Sequence, residues 1–378
     1  MIKVCHIVNL ITGKSDGVYA HLKMIFRNSD KTKFQHYLIF QGGENIEKEL
    51  AEMGVKVFVS SSLKKKISIK AFTDIYRILK SNNIDIIHTH LIKPYAIAGL
   101  VNLILRKKFI FNYHGLFIAK NPYYNFIERS VYSLIHKIIY LFGRVDTVLV
   151  PSGRSKELLL KETKLFPEPA VYYNGYSLNQ IVTEPDTELL NHIQRIKKNK
   201  KIIALIGRLE VDKRIDRAIN IFNKIITHQR NIHLLIFGDG KIKSDLQKLV
   251  YELQLKENVD IFGYVNDIQN YFTLFDLVLF TSDWEGMPLT MWEAMANKVP
   301  VVAPDVGGFK EILLQNNCGL IYEPGNLSDA EGKILQLLDD EKLRIELGEN
   351  GRAAIDTNYN EKKFIDQIEK IYFDLSVR

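Results

Sequence analysis

Short apolar runs of strand length alternate with longer stretches of helical periodicity along the whole chain. That alternation predicts an α/β fold with parallel sheets, because each helix can carry the chain back to start a neighbouring parallel strand. Strands are expected at 2–10, 34–40, 55–60, 84–90, 109–114 and 147–151. Helices are expected from about Val18 and near 46–53, 68–81, 95–105, 123–142 and 154–162. The pattern then breaks at Pro167, Pro169, Asn174-Gly175, Pro185 and the basic run at 197–201, so a hinge is expected between about Asn174 and Lys200. A second set of strands follows at 202–206, 233–237, 259–262, 277–281, 299–303 and 319–322. The expectation is two doubly wound domains, 1–185 and 186–360, closed by an amphipathic helix at 361–378 that carries Phe364, Ile365, Ile368, Ile371 and Tyr372. Such sheets bind ligands at the carboxyl ends of their strands.

Composition agrees with a globular protein that has a large core: 378 residues, 46% hydrophobic and 25% charged. The net charge of +7 is unevenly spread, with +14 on residues 1–200 and −7 on the remainder. A basic half suggests an anionic surface as partner. No helix-turn-helix, zinc-finger or RNP pattern accompanies the charge, so nucleic acid is not expected. The apolar runs stop well short of the ~20 residues that span a bilayer, and Met1-Ile2-Lys3 leads directly into a strand pattern, so no signal peptide is expected. Cys5 and Cys318, far apart in apolar contexts, read as reduced core residues of a cytoplasmic protein.

The most informative stretch is Ser282 to Gly308, SDWEGMPLTMWEAMANKVPVVAPDVGG. It reads as a strand end, a loop from Trp284 to Met287, a helix opened by Pro288, the next strand and a glycine turn. The first helical N–H groups, near Leu289 and Thr290, lack intrahelical partners and offer a place for a diphosphate. Glu285 in the loop and Glu293 on the helix flank that place, each suited to accept from the hydroxyls of a sugar or a ribose. Together with EAMA, PVVAPDVGG and Glu311, these residues resemble the E-x7-E signature of the retaining glycosyltransferases of family 4.

The resemblance implies the GT-B fold, with two Rossmann-like domains facing each other across a cleft. It is strong over the C-terminal half and weaker over the N-terminal half. It implies that Glu285 orients the donor sugar, that Glu293 holds the ribose, and that Arg208 and Lys213, after Gly207, hold the donor diphosphate. Arg214 is expected outside the site. Gly238 closes the next strand, where Lys243 replaces the last glycine of a dinucleotide fingerprint, so no nicotinamide cofactor is expected. Tyr264 falls in the segment that borders the nucleobase, with a buried structural tyrosine as the alternative. Met287, Pro288, Leu289 and Thr290 complete the donor-binding set.

In the first half, Gly13-Lys14-Ser15 fails as a P-loop, because Val8 occupies the position of its first glycine. The family often has a glycine pair in this loop. Here Asp16 replaces the first, leaving Gly17 to approach the donor. His114 matches a family histidine that points at the donor sugar. His88 and His90 share one strand face, but no nearby Cys or acidic cluster completes a metal site, so packing is their expected role. The stretch 93–144 interleaves aromatic and aliphatic residues with cations, and reads either as core helices or as a surface lying in a lipid interface.

The function expected from all this is retaining, metal-independent transfer of a sugar from a nucleoside diphosphate sugar, UDP-linked, with no cofactor. The expected acceptor is a lipid-linked or other envelope glycan at the cytoplasmic membrane face. The alternatives are a GT-B nucleotide-sugar epimerase, for which no acid/base set is found, and a non-catalytic nucleotide-sugar-binding partner subunit.

Overall fold

The computed structural model describes residues 1–11, 17–42, 46–65, 68–114, 125–178 and 184–377. It divides into two compact units, one of Met1–Asn174 with Glu361–Arg378 and one of Gly175–Asn360.

The first unit has a parallel sheet built from β1 (Ile2–Ile7), β2 (Phe34–Phe40), β3 (Lys56–Val59), β4 (Ile86–His90), β5 (Lys108–Asn112), β6 (Thr147–Val150) and β7 (Ala170–Val171). Its strand order is β3-β2-β1-β4-β5-β6-β7, so the order reverses between β1 and β4. The intervening helices are α1 (Gly17–Asn28), α2 (Glu47–Glu52), α3 (Ile69–Ser81), α4 (Ile92–Leu105), α5 (Phe126–Phe142) and α6 (Gly153–Glu162). One sheet face, with Cys5, Ile7, Ile87, Phe109 and Phe111, is buried with residues of α3, α4 and α5. The other face carries Val4, Leu38, Ile86 and Ile110. The strands are apolar on both faces because helices cover both, as a parallel sheet requires.

The second unit begins with α7 (Thr187–Lys197) and β8 (Lys201–Ile206) and continues with α8 (Ile215–His228), β9 (Ile232–Phe237), α9 (Lys243–Glu252), β10 (Val259–Ile261) and β11 (Leu277–Leu279). It closes with α10 (Leu289–Ala296), β12 (Val301–Pro304), α11 (Phe309–Gln315), β13 (Gly319–Tyr322), α12 (Leu327–Asp339) and α13 (Glu341–Thr357). Its order, β10-β9-β8-β11-β12-β13, reverses between β8 and β11. The last helix, α14 (Glu361–Ser376), belongs to the first unit and buries Phe364, Ile365, Ile368, Tyr372 and Leu375 against the Val4–Leu38 face.

Most expected strands lie within a residue or two of their predicted positions. The linker differs. Much of the hinge expected between Asn174 and Lys200 is the helix α7, and the unit boundary falls after Asn174, before the expected 185/186. Asp186 caps α7 by accepting from the N–H groups of Glu188 and Leu189. The helix buries only Ile193, so its charged sequence reads as linker. The Gly13-Lys14-Ser15 stretch, Asp16, Lys66, Gly115 and 121–124 lie outside the described residues.

Candidate active site

In a doubly wound sheet the loops after the two strands that flank the order reversal diverge and leave a crevice. In the second unit those strands are β8 and β11, which pair through Leu277–Ile203 and Val278–Ala204. Gly207, Arg208 and Lys213 follow β8, and Glu285 follows β11. The two loops are stitched together: Thr281 Oγ1 donates to the Lys213 carbonyl at 3.0 Å, and the Asp283 N–H donates to the Asp212 carbonyl at 2.9 Å.

That stitching brings Lys213 Nζ to 2.6 Å from Glu285 Oε1, in an ion pair whose side chains are 18% and 7% exposed. Ser282 Oγ donates to the same oxygen at 2.7 Å. Oε1 is therefore anchored twice, while Oε2 has no hydrogen-bond partner among the described residues. An ammonium has three donors, so Lys213 keeps two for another anion. Arg208, by contrast, is exposed and makes no side-chain hydrogen bond or ion pair among the described residues. Arg214 is engaged by Asp216 and Asp283.

Helix α10 starts at Leu289 with Pro288 as its N-cap, and no side chain caps it. Met287 is buried below this start, while Pro288, Leu289 and Thr290 are half-buried. One turn on, Glu293 Oε1 accepts from Gln269 Nε2 at 3.0 Å. Loss of hydration raises the Glu293 carboxyl to about 7, and the Gln269 bond offsets part of that rise. Gln269 has no signal in the sequence, since an amide in a short 3₁₀ turn resembles any surface residue. Ser282 is equally silent.

Two glycines fix the geometry. Gly238 has φ +144°, and a Cβ there would lie 1.8 Å from the Gly207 carbonyl oxygen. Gly307, φ +57°, lets the turn after β12 pass close to the Glu285 loop, where a Cβ would lie 2.3 Å from the Glu285 carbonyl oxygen. Gly207 differs, because a Cβ there would meet nothing within 4 Å and the unit's own packing does not demand glycine. Tyr264 is 55% exposed, which removes the alternative of a buried structural tyrosine.

The sequence also matches known families. Residues 186–354 match the family model described as "Glycosyl transferases group 1", and residues 16–180 match the one described as "Glycosyltransferase Family 4". The chain is a family 4 glycosyltransferase. The transferase is 26% identical over 367 residues to an N-acetyl-alpha-D-glucosaminyl L-malate synthase of Bacillus anthracis, covering 88% of this chain and 93% of that protein. It is 25% identical over 335 residues to a UDP-Gal:alpha-D-GlcNAc-diphosphoundecaprenol alpha-1,3-galactosyltransferase of Escherichia coli, covering 85% of each. The crystal structure of Anabaena HepE in complex with UDP-glucose has the same fold, with a TM-score of 0.81 at 17% identity over 99% of this chain and 100% of that one. Structures of this kind are GT-B, and so is the transferase. The catalytic reading stands over a silent binding subunit or an epimerase.

In the first unit of the transferase, Gly17 is the exposed first residue of α1. His114 lies just beyond β5, half-buried, with its Nε2 3.0 Å from His90 Nδ1. His88 Nδ1 contacts Tyr372 Oη at 2.8 Å. Residues remote in sequence crowd this region: His6, His88 and His90 have ring nitrogens within 4.8 Å of one another, as do His21, His90 and His114. The sequence shows only the His88/His90 pair, because the others arrive from β1 and α1.

In the 93–144 stretch, helix α5 has both a buried and an exposed apolar face. Tyr132, His136 and Ile139 are buried, while Phe126, Ile127, Leu134, Tyr140, Leu141 and Phe142 are exposed. Among the described residues, no helix is long and apolar enough to cross a membrane.

Proposed function

We propose that the transferase moves a sugar from a UDP-linked donor, with retention of configuration and without a metal, to a lipid-linked or other envelope glycan acceptor at the cytoplasmic membrane face. The observation that carries this reading is the Lys213–Glu285–Ser282 arrangement at the switch between β8 and β11, beside the uncapped start of α10. Lys213, Arg208 and the helix start supply fixed positive charge for the departing diphosphate, the task a divalent ion performs elsewhere. The bond from the anomeric carbon to the phosphate oxygen breaks. The acceptor hydroxyl oxygen bonds to that carbon on the same face, and its proton passes to the departing phosphate. Glu285, anchored through Oε1, accepts from sugar hydroxyls through Oε2, and Glu293 accepts from the ribose. Gly207 and Gly238 give the donor close approach to backbone, Gly17 does so from the first unit, and Tyr264 borders the base.

The UDP-containing name of the Escherichia coli relative and the HepE complex support the nucleotide, and the diphosphoundecaprenol in that name supports a lipid-linked acceptor. The exposed apolar face of α5 supports an anionic membrane as partner, in preference to nucleic acid. The test is acceptor-dependent release of UDP from UDP-sugars in EDTA, with the anomeric configuration of the product read by NMR. Release that continues under chelation and gives a retained product is expected. Activity restored only by added Mg2+, or an inverted product, sinks the reading.

A further inference from the structure

Four buried or half-buried imidazoles form one unbroken row across the first sheet. His36 is on β2, His6 on β1, His90 on β4 and His114 just beyond β5, four adjacent strands. His36 Nδ1 lies 3.2 Å from His6 Nε2, His6 Nδ1 lies 3.2 Å from His90 Nε2, and His90 Nδ1 lies 3.0 Å from His114 Nε2. Successive ring centroids are 5.3, 5.5 and 5.3 Å apart, near the ~4.8 Å between strands, so the sheet itself sets the repeat. All four rings are kept neutral by burial, so each carries one N–H and one lone pair.

Neutral rings in such a row have only two consistent proton arrangements. In one, every N–H points toward His36, and His36 Nε2–H is left at the far end. In the other, every N–H points toward His114. His36 Nε2 is buried and has no partner, among the rings of Phe26, Phe34 and Tyr372. A buried N–H without an acceptor is rarer in proteins than an unused acceptor, so the second arrangement is favoured. A metal offers a worse account of these residues. His6, His88 and His90 are fully buried and neither histidine cluster contains a carboxylate, so a divalent charge would go uncompensated.

We infer that His36, His6 and His90 are positioning residues that hold His114 as its Nδ1–H tautomer, so that His114 meets a sugar oxygen as a hydrogen-bond donor and not as an acceptor. The link to a sugar rests on the function proposed above; the tautomer does not. The test uses the full chain with 15N-labelled histidine and two-bond 1H–15N correlation, which reads the protonated nitrogen of each ring. His114 is expected to show a protonated Nδ1 and a bare Nε2. The reverse pattern, or an averaged one, overturns the inference in the wild-type protein alone, so no variant has to fold for it to fail. A tightly held stoichiometric metal whose removal shifts the signals of His6, His88 and His90 also overturns it.

Variants then separate relay from packing. His90→Phe removes the ring that donates to His114 Nε2 and should turn His114 into a tautomer mixture. His88→Phe is the control, since His88 stacks on His90 at 4.4 Å but lies outside the row, and it should leave His114 unchanged. His90→Phe should lower kcat about tenfold with donor KM within about twofold. Unchanged kcat beside a changed tautomer would overturn the donor role of His114 while leaving the proton order of the row standing.

Discussion

Arg208 and Lys213 carry the same charge, yet the structure gives them different duties. Arg208 is exposed and unpaired among the described residues, while Lys213 neutralises a carboxylate only 7% exposed. Arg208→Ala should therefore cut transfer about tenfold or more and leave Tm unchanged. Lys213→Ala should cut transfer and also strand Glu285, costing ~1–3 kcal/mol and several degrees of Tm. Calorimetry on both variants beside rate measurements checks this, and equal Tm values would contradict the ion pair. Glu293 gives a pH signature. Its carboxyl titrates at about 7 in the folded chain against an ordinary 4.5, so between those values the folded state holds a proton that the unfolded state has released. Stability contributed by Glu293 thus falls as pH rises through that window. The ribose needs the ionised form as acceptor, so donor affinity should rise with pH up to about 7 and level off above it. Glu293→Gln should raise Tm at pH 8 while weakening donor binding and flattening its pH dependence, both measurable by titration calorimetry. Glu285 and Glu293 are legible in the sequence because their spacing and flanks are. Gln269 and Ser282, which hold them, are not, because single polar residues acquire meaning only once a fold places them.

At the scale of elements, strands read well and capped polar helices read poorly. β-runs such as Phe34–Phe40 are apolar on both faces and announce themselves. Helix α7 owes its start to Asp186 and buries one isoleucine, so periodicity carries little signal. Helix α5 was ambiguous for a better reason, since it is apolar on its buried face and on much of its exposed face. Its Asn125 and Glu128 form a reciprocal capping box at the helix start. Arg106 is not a free surface cation: its Nη1 donates to the Phe142 carbonyl at 2.9 Å at the end of α5. A membrane test should therefore spare Arg106 and remove apolar area. Phe126→Ser with Leu141→Ser should release the protein from vesicles containing anionic lipid, with Tm and binding of soluble donor unchanged. Wild-type binding should weaken with salt, because headgroup attraction is worth about 1 kcal/mol per Lys or Arg and fades within a Debye length. Flotation at low and high salt reads both effects, and equal recovery with neutral and anionic vesicles would refute the membrane as partner.

At the scale of the molecule, two doubly wound parallel sheets are legible from the alternation of patterns alone and the resemblance supplies their class, while the order that their first six strands share comes only from the structure. The histidine row was not legible, because it is assembled from β2, β1, β4 and the end of β5, and no spacing along the chain encodes adjacency between strands. The place of α14 has a consequence for how the protein is made. One face of the first sheet, with Val4, Leu38, Ile86 and Ile110, is sealed by Phe364, Ile368 and Tyr372. Those residues leave the ribosome only after the whole second unit, about 200 residues later. At ~5–20 residues per second the nascent first unit waits roughly 10–40 s with that face unsealed. The second unit is contiguous and can close as it emerges. The folding order in the cell is thus expected to invert the order of synthesis, with the earlier-made sheet finished last.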